Sequence, residues 1–234
     1  MIIEKGFKKA KEYIDTRSSL TEKQIIKLRP GPCITISRAV GAGSDLLAEE
    51  LLKFFAKHDK LPWTVFDKNL IEKVLEDHNL SQKFFEYFSE ETRSDAQNFI
   101  SELFNLKPSS ASLVNVMSET ILHLGNAGRV IIIGRASNMI TAKLKNSFHV
   151  RLTANLEDRI KHVQQHYSFT RIKAMEFIKK EEIQRKNYLK KYFHKNIDDP
   201  LLYHLVINAS ALKPEESAKI IGELVMDRYP EMFK

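Results

Sequence analysis

The residue pattern with the clearest chemical meaning is a glycine loop at residues 37–44, which reads Ser-Arg-Ala-Val-Gly-Ala-Gly-Ser. It follows an apolar, β-rich run at residues 33–36 and precedes a helical pattern of leucines. A glycine loop between a buried strand and a helix exposes backbone N–H groups and the positive helix end to anions. The order indicates a phosphate site, although a glycine turn of this kind also occurs for packing alone. The residues expected to contact a bound nucleotide are Ser37, Gly41, Ala42, Gly43, Ser44 and Asp45.

The loop lacks the lysine of the phosphate-binding pattern G-x-x-x-x-G-K-[ST], in which lysine contacts the terminal phosphates and the hydroxyl binds Mg²⁺. With Gly43 aligned to the glycine before the lysine, Ser44 stands in the lysine's place and Asp45 in that of the hydroxyl. Arg38 then stands in place of the first glycine. Positive charge must come from other residues, and arginines are the candidates because a guanidinium binds phosphate oxygens bidentately and stays charged.

Asp45 has two opposed interpretations. Its carboxylate can reach Mg²⁺ directly or through water, as carboxylates commonly do. It can equally repel a triphosphate, because both groups are negative. The sequence leaves both interpretations open.

The composition predicts one globular core with a mobile subregion, since the chain has 234 residues, of which 43% are hydrophobic and 29% charged. Cys33 is the only cysteine, which excludes an intrachain disulfide and a cysteine-based zinc site. No apolar run approaches the ~20 residues that a membrane-spanning helix requires, and the first residues lack a signal-peptide pattern. We therefore expect a cytoplasmic protein without a membrane partner.

The formal net charge of +7 is concentrated in one segment. Residues 159–195 carry 11 Lys/Arg and 3 Asp/Glu, whereas the rest of the chain carries 26 and 27. A single basic helical arm suits closure over a polyphosphate, and it also permits nucleic-acid binding, which we consider the weaker interpretation.

Five short apolar runs predict strands, at residues 33–36, 63–66, 129–133, 148–152 and 205–208. Helical patterns separate them, which is typical of parallel βαβ units with helices on both faces of a sheet. Before the first strand, residues 4–14 and 22–28 predict two short polar helices. This extension over residues 1–31 could cover a sheet edge or form a homodimer contact.

Four segments resemble the cytidylate kinase-like proteins, relatives of bacterial cytidylate kinases among the P-loop nucleoside monophosphate kinases. The segments are residues 34–44, 65–71, 130–137, and 150–159 with the basic stretch that continues to Pro200. The resemblance implies a three-layer α/β/α fold with a parallel sheet, of the P-loop NTPase and nucleoside monophosphate kinase type, over residues 32–234. It also implies a helical acceptor-binding region at about 67–115 and a lid at about 165–200.

The same resemblance implies transfer of the γ-phosphoryl group of ATP, with Mg²⁺, to CMP or a similar small acceptor. It assigns Arg135 to the acceptor monophosphate, and Arg159 and Arg185 to the donor phosphates when the lid closes. Arg38 is a fourth candidate, and Asp45 is the candidate Mg²⁺ ligand. The residues that resemble the family's acceptor-binding elements are Asp67, Lys68, Gly134, Arg135 and Ser137.

Two departures from the family pattern keep other functions open. Relatives usually have an arginine at the position of Asp45 and an aspartate at the position of His204. A regulatory protein that binds nucleotide without turnover is therefore an alternative, and a nucleic-acid-binding module is a more remote one.

His162 and His166 are four residues apart, a spacing that permits metal binding on one helical face. The stretch lacks the glutamate of the H-E-x-x-H motif and a third ligand nearby in sequence. We therefore interpret both as surface histidines, and we interpret Cys33 as a core residue because it lies in an apolar strand.

Overall fold

The computed structural model describes residues 8, 10–15, 30–67, 69, 71 and 113–233. Five strands form one sheet: β1 (Cys33–Arg38), β2 (Thr64–Phe66), β3 (Val130–Ile133), β4 (Ser147–Thr153) and β5 (Leu205–Asn208). The helices are α1 (Ser44–His58), α2 (Leu113–Ala127), α3 (Ser137–Ile140), α4 (Leu156–Tyr167), α5 (Arg171–Phe193) and α6 (Pro214–Arg228). Short 3-10 helices cover Pro200–Leu202 and Pro230–Met232.

The sheet has the order β2-β3-β1-β4-β5, and all of its pairings are parallel. Strand β1 is central, because Ile36 pairs with Ile133 of β3 on one side and with Val150 of β4 on the other. The chain leaves β1 toward β2 at one edge and later crosses to β4 on the opposite side. In open parallel sheets, ligands bind outside the carboxyl ends of the strands where the strand order switches. The end of β1 is therefore the expected site.

Alternating side chains give the sheet one apolar core on each face. In β3, Val130 and Ile132 belong to the core that α2 covers, whereas Ile131 and Ile133 belong to the core that α1 and α6 cover. A strand that is apolar on both faces is typical of a parallel sheet between two helical layers. The predicted three-layer α/β/α fold is confirmed, and Cys33 is fully buried as expected.

The basic segment folds as two helices joined by a short break. Helix α4 ends at Tyr167, Ser168 adopts a left-handed backbone conformation, and the Thr170 side chain caps α5 by accepting from the N–H of Lys173. A third apolar cluster joins these helices to the glycine loop, since Val40 of the loop is buried among side chains of α4 and α5. The cluster consists of Val40, Ile160, Val163, Ala174 and Ile178.

Part of the predicted N-terminal extension packs on the core. Residues 10–15 are helical, Ala10, Tyr13 and Ile14 are buried, and the Tyr13 hydroxyl donates to the oxygen of Gly128 at 2.7 Å. The predicted helix at residues 22–28 and most of the acceptor-binding region at 67–115 lie outside the described residues. The homodimer contact stays a prediction. Within the described part of the chain, no helix has the length and apolar character needed to cross a membrane.

Candidate functional site

The glycine loop begins where β1 ends. The N–H of Ala39 still donates to the oxygen of Leu152 in β4, at 2.9 Å, and the next residues form a turn in which Ala42 N–H donates to Ala39 O at 3.2 Å. Gly41 and Gly43 have φ angles of 80° and 76°, a left-handed region that favours glycine. The two glycines are therefore required by the course of the backbone.

The two glycines differ in their surroundings. A Cβ atom at Gly41 would lie 2.6 Å from the backbone oxygen of Arg159 and 3.0 Å from Val163, so this glycine allows α4 to pack against the loop. A Cβ at Gly43 would meet only Leu46, at 3.8 Å. Gly43 is the N-cap of α1, and no side chain caps this end of the helix. The packing interpretation of the loop thus applies to Gly41, whereas Gly43 opens the helix N-terminus to an incoming group.

The Asp45 carboxylate lies at this N-terminus, close enough to its own N–H and that of Leu46 for both to lower its pKa. It also contacts His162 Nε2 at 3.3 Å and His166 Nδ1 at 3.7 Å. Burial alone would raise the pKa of Asp45, but the bond to His162 and the backbone donors together lower it. The bond to Asp45 raises the pKa of His162. A negative side chain therefore lies beside two backbone N–H groups to which a phosphate could bind.

A cavity of about 200 Å³ opens beside the loop, and we call it the loop cavity. It lies between Gly41–Gly43 and the segment that follows β5, and its walls are largely apolar. The apolar lining includes Leu46, Leu152, Ala154, Ala209, Leu212 and Pro214. Ser217 also lines it, and its hydroxyl is buried with no hydrogen-bond partner among the described residues. Asp158 and His162 complete its polar lining, and a mainly apolar slot with a few polar groups beside an anion site fits a nucleobase.

A second cavity of about 320 Å³, the arginine cavity, lies on the other side of the loop at the ends of β1 and β3. Helix α5 covers it. Its polar lining includes Arg38, Arg135, Asn138, Glu181, Arg185 and Tyr188. Asn138 is 4% exposed, and its Nδ2 has no hydrogen-bond partner among the described residues. The cavity therefore offers donors to a ligand rather than acceptors.

Arg38 and Arg185 of this cavity are partly buried. Arg185 donates from Nη1 to the backbone oxygen of Arg38 at 3.2 Å. In the part of the chain that the structure describes, neither guanidinium forms an ion pair, and that of Arg38 makes no hydrogen bond. Burial, and then the charge of Arg185, lowers the pKa of Arg38 to about 9, although Asp67 raises it. Arg38 stays protonated at neutral pH, so the cavity is cationic.

Arg135 is held in an unusual backbone conformation beside them. Gly134, Arg135 and Ala136 have φ angles of 81°, 56° and 54°, so three consecutive residues are left-handed. A Cβ atom at Gly134 would overlap Arg38 Nη1, so a larger residue at this position would displace the guanidinium. Burial lowers the pKa of Arg135, and Tyr188 and Glu181 partly offset this. Backbone strain at a cavity wall is typical of functional sites.

Arg159 lies away from both cavity linings in this structure. Its Nη1 pairs with Glu182 of α5, and its Nε is buried with no hydrogen-bond partner in the described residues. The donor-phosphate role expected of Arg159 stays a prediction and requires this ion pair to open. Of the remaining predicted residues, Ser37, Gly134 and Ser137 line the arginine cavity, whereas Lys68 lies outside the described residues.

The sequence interpretation missed a polar network that lies beside the arginine cavity and connects Ser37 to the lid. Arg151 of β4 donates to Ser37 Oγ at 3.0 Å and to Asp198 at 3.1 Å, and Asp198 also pairs with Lys186 of α5 at 2.8 Å. The Tyr203 hydroxyl lies 3.3 Å from the same Ser37 oxygen. The network ties β1, β4 and the lid together. A charged residue inside an apolar strand was the available signal for Arg151.

The donors around Asp45 do not suit Mg²⁺. Magnesium prefers an octahedral set of oxygen ligands, and the neighbours of this carboxylate are two imidazole nitrogens. The Mg²⁺ contact expected of Asp45 therefore stays a prediction without support from the side chains around it. Bound ATP would bring Mg²⁺ on its own phosphate oxygens.

Known proteins similar to this chain agree with the fold. A crystal structure of an uncharacterized protein from Eubacterium ventriosum ATCC 27560 has a TM-score of 0.57 and 17% identity, covering 83% of this chain and 98% of that one. This likeness concerns the fold alone. No curated protein matches the sequence. The family model of the cytidylate kinase-like family matches residues 33–211, which include β1, the glycine loop, the arginines of the arginine cavity and β5. The chain therefore belongs to the cytidylate kinase-like family.

Proposed function

We propose that this protein is a kinase that transfers the γ-phosphoryl group of ATP to a nucleoside monophosphate of the CMP type or a similar small acceptor. Family membership supports a nucleotide kinase. The observation that carries the proposal is the partly buried Arg38 guanidinium, which faces the arginine cavity and forms no ion pair in the described part of the chain.

A charge that is partly removed from water and forms no ion pair has a desolvation cost. Arg185 adds to this cost, because its charge lies close enough to lower the pKa of Arg38. A bound phosphate would remove the cost by supplying oxygens to both guanidinium groups, with charge-assisted hydrogen bonds. The two guanidinium groups thus favour the binding of an anion with the size and charge of a phosphate.

The two cavities provide one place for each substrate. We assign the donor nucleoside to the loop cavity, where the apolar walls suit a base and Ser217 offers a free hydroxyl. We assign the acceptor to the arginine cavity, where Arg135 binds its phosphate. The family resemblance, rather than the cavity lining, is what assigns Asp67 and Lys68 to the acceptor. Arg38 lines the arginine cavity and Gly41 lines the loop cavity. Because these residues are three apart in sequence, their Cα atoms lie at most ~11 Å apart, which is about the length of a triphosphate.

Catalysis in this arrangement depends on positioning and charge, as phosphoryl transfer generally does. Arg38 and Arg185 stabilise the charge on the transferred group in place of the missing lysine. Helix α5 excludes water, which would otherwise compete with the acceptor oxygen as the nucleophile. Mg²⁺, carried by ATP, neutralises charge on the phosphates when bound.

The test is product chromatography after incubation of the purified chain with ATP, Mg²⁺ and a panel of nucleoside monophosphates, nucleosides and small phosphorylated acceptors. We expect turnover with one acceptor class, and a loss of at least about hundredfold in Arg135→Ala because the acceptor phosphate loses its bidentate partner. Arg171→Ala is the matched control, since Arg171 pairs with Glu157 on the exposed surface. Turnover that is absent with every acceptor, or equal in Arg135→Ala, contradicts the kinase proposal.

A second candidate is nucleotide binding without turnover. One observation favours it: the negative Asp45 carboxylate lies on the first turn of α1, where a phosphate would bind. Calorimetry separates the two candidates. ATP binding without any phosphoryl transfer supports this second function, whereas transfer to any acceptor excludes it.

A further inference from the structure

The contact between the glycine loop and α4 brings three metal-ligand side chains together. Asp45 lies on the first turn of α1, and His162 and His166 lie one turn apart on α4. One ligand atom from each residue lies within 4.8 Å of the other two. The carboxylate oxygens are 3.3 Å from His162 Nε2 and 3.7 Å from His166 Nδ1.

The separation between Asp45 and His162 matches that of two ligands on one ion, and that between Asp45 and His166 is slightly longer. Two ligands at the usual zinc–nitrogen and zinc–oxygen distance of about 2.0–2.1 Å, in tetrahedral geometry, lie roughly 3.3 Å apart. A metal ion would take the place of a proton between His162 and Asp45. Because His166 Nδ1 is 3.7 Å from the carboxylate, His166 would have to move slightly closer to bind the same ion. Two imidazoles and a carboxylate are ligands for borderline ions such as Zn²⁺ and Co²⁺, and they disfavour Mg²⁺.

The supporting structure holds the ligands in place. The two histidines stand on the same face of a regular helix, with ring centroids 6.0 Å apart. The Asp45 carboxylate stands on the first turn of α1, next to the backbone N–H groups at the start of that helix. Asp45 and His166 are about half exposed, which leaves an entry path and a fourth position for water.

We propose that Asp45, His162 and His166 form a binding site for a divalent ion of the zinc class at the mouth of the glycine loop. The ion replaces an exposed negative charge beside Gly43 with a net positive one, because a divalent cation outweighs one carboxylate. The proposal does not depend on phosphoryl transfer, and it is tested without nucleotide.

The experiment is a titration of the full chain, freed of metal with a chelator, with Co²⁺ followed by visible d–d absorption. Zn²⁺ is then added to displace Co²⁺, and a parallel sample contains excess Mg²⁺. We expect saturation at one Co²⁺ per chain, displacement by Zn²⁺, and no competition from Mg²⁺.

The variants Asp45→Asn, His162→Gln and His166→Gln should each lower the Co²⁺ affinity at least about tenfold, as the loss of ligands and their supports does elsewhere. His58→Gln is the matched control, because His58 is an exposed histidine at the far end of α1; it should bind like the wild type. Circular dichroism checks that each variant folds.

Equal Co²⁺ affinity in the wild type, His162→Gln and His166→Gln overturns the proposal, as does a wild type that binds no Co²⁺ at millimolar concentration. A chain that binds Co²⁺ as expected and transfers no phosphoryl group retains the metal site and loses only the kinase function. A chain that transfers phosphoryl groups but binds no Co²⁺ loses only the metal site.

Discussion

Arg185 of α5 donates a hydrogen bond to the backbone oxygen of Arg38, at 3.2 Å, across 147 residues of sequence. The bond fixes the lid helix to the end of the central strand, and it places two guanidinium groups on the same cavity. Within the described part of the chain neither Arg38 nor Arg185 forms an ion pair, so both charges are available to a ligand.

Replacement of Arg38 by methionine should change stability and binding in opposite directions. The variant keeps much of the packing of the side-chain stem but removes a partly buried charge that lies near Arg185, so the free energy of unfolding should rise by about 1 kcal/mol. ATP affinity should fall at least about tenfold, because a charge-assisted bond is worth ~1.5–3 kcal/mol. Urea denaturation and calorimetry measure the two effects.

The matched control for that substitution is Arg171→Met. Arg171 forms an exposed ion pair with Glu157 at 2.7 Å, and exposed pairs contribute little. Both measured quantities should stay close to those of the wild type. A stability loss in Arg38→Met, with unchanged ATP affinity, would mean that Arg38 is a structural residue.

Removal of the Asp45 charge should strengthen nucleotide binding in the metal-free protein. Asparagine cannot compete as an anion for the N–H groups at the start of α1, and a charge near a helix N-terminus is worth ~0.3–2 kcal/mol. Asp45→Asn should therefore lower the Kd for ATP by about twofold to thirtyfold, measured by calorimetry with chelator-treated protein. A weaker ATP complex would instead favour Asp45 as a ligand of nucleotide-bound Mg²⁺.

The two glycines of the loop should differ in their tolerance of alanine. Both have left-handed backbones, which cost an L-residue about 1–2 kcal/mol. Gly41→Ala adds a clash with the Arg159 oxygen, whereas Gly43→Ala places its methyl group in open space. Urea denaturation should show a larger loss of stability for Gly41→Ala. Equal losses would contradict the close approach of α4 to the loop.

A buried histidine should make the fold sensitive to acid. His149 contacts Thr35 Oγ1 through Nδ1 at 2.8 Å, and burial, with the charges of His204 and Arg228, lowers its pKa to about 4. The unfolded chain therefore takes up a proton near pH 6.5 while the folded chain does not, so stability is present above 6.5 and is lost as the pH falls toward 4.

The variant His149→Asn isolates this contribution. Between pH 7 and pH 5 the wild type should lose roughly 2 kcal/mol of unfolding free energy that His149→Asn does not lose. Urea denaturation across this pH range measures the difference. Parallel pH profiles for the two proteins would show that His149 titrates normally in the folded state.

Local patterns in the sequence predicted the sheet well, because each strand is a short apolar run between polar breaks. Differences arose at polar strand ends. Strand β1 continues to Arg38, two residues past the apolar run, since it pairs with β4 as far as Leu152. The break at Ser168, which divides the basic segment into α4 and α5, has no glycine or proline to mark it.

The site was predictable only where one segment carries it. The glycine loop and the Gly134–Arg135 turn have local signatures, whereas the pair of Asp45 and His162 joins positions far apart in sequence. Residue spacing within one helix or loop cannot predict a contact between such distant positions. Both histidines were therefore interpreted as surface residues. In the structure, His162 is partly buried against Asp45.

The most direct test of the central claim is a crystal structure of the protein with a non-hydrolysable ATP analogue and Mg²⁺. The measurement is the distance from the guanidinium nitrogens of Arg38 and Arg185 to the nearest phosphate oxygens. We expect both at about 2.7–2.9 Å, the length of a charge-assisted hydrogen bond, with the α- and β-phosphates near Gly43. Phosphates bound elsewhere, or in the loop with both arginines out of contact, would contradict the claim that arginines replace the missing lysine.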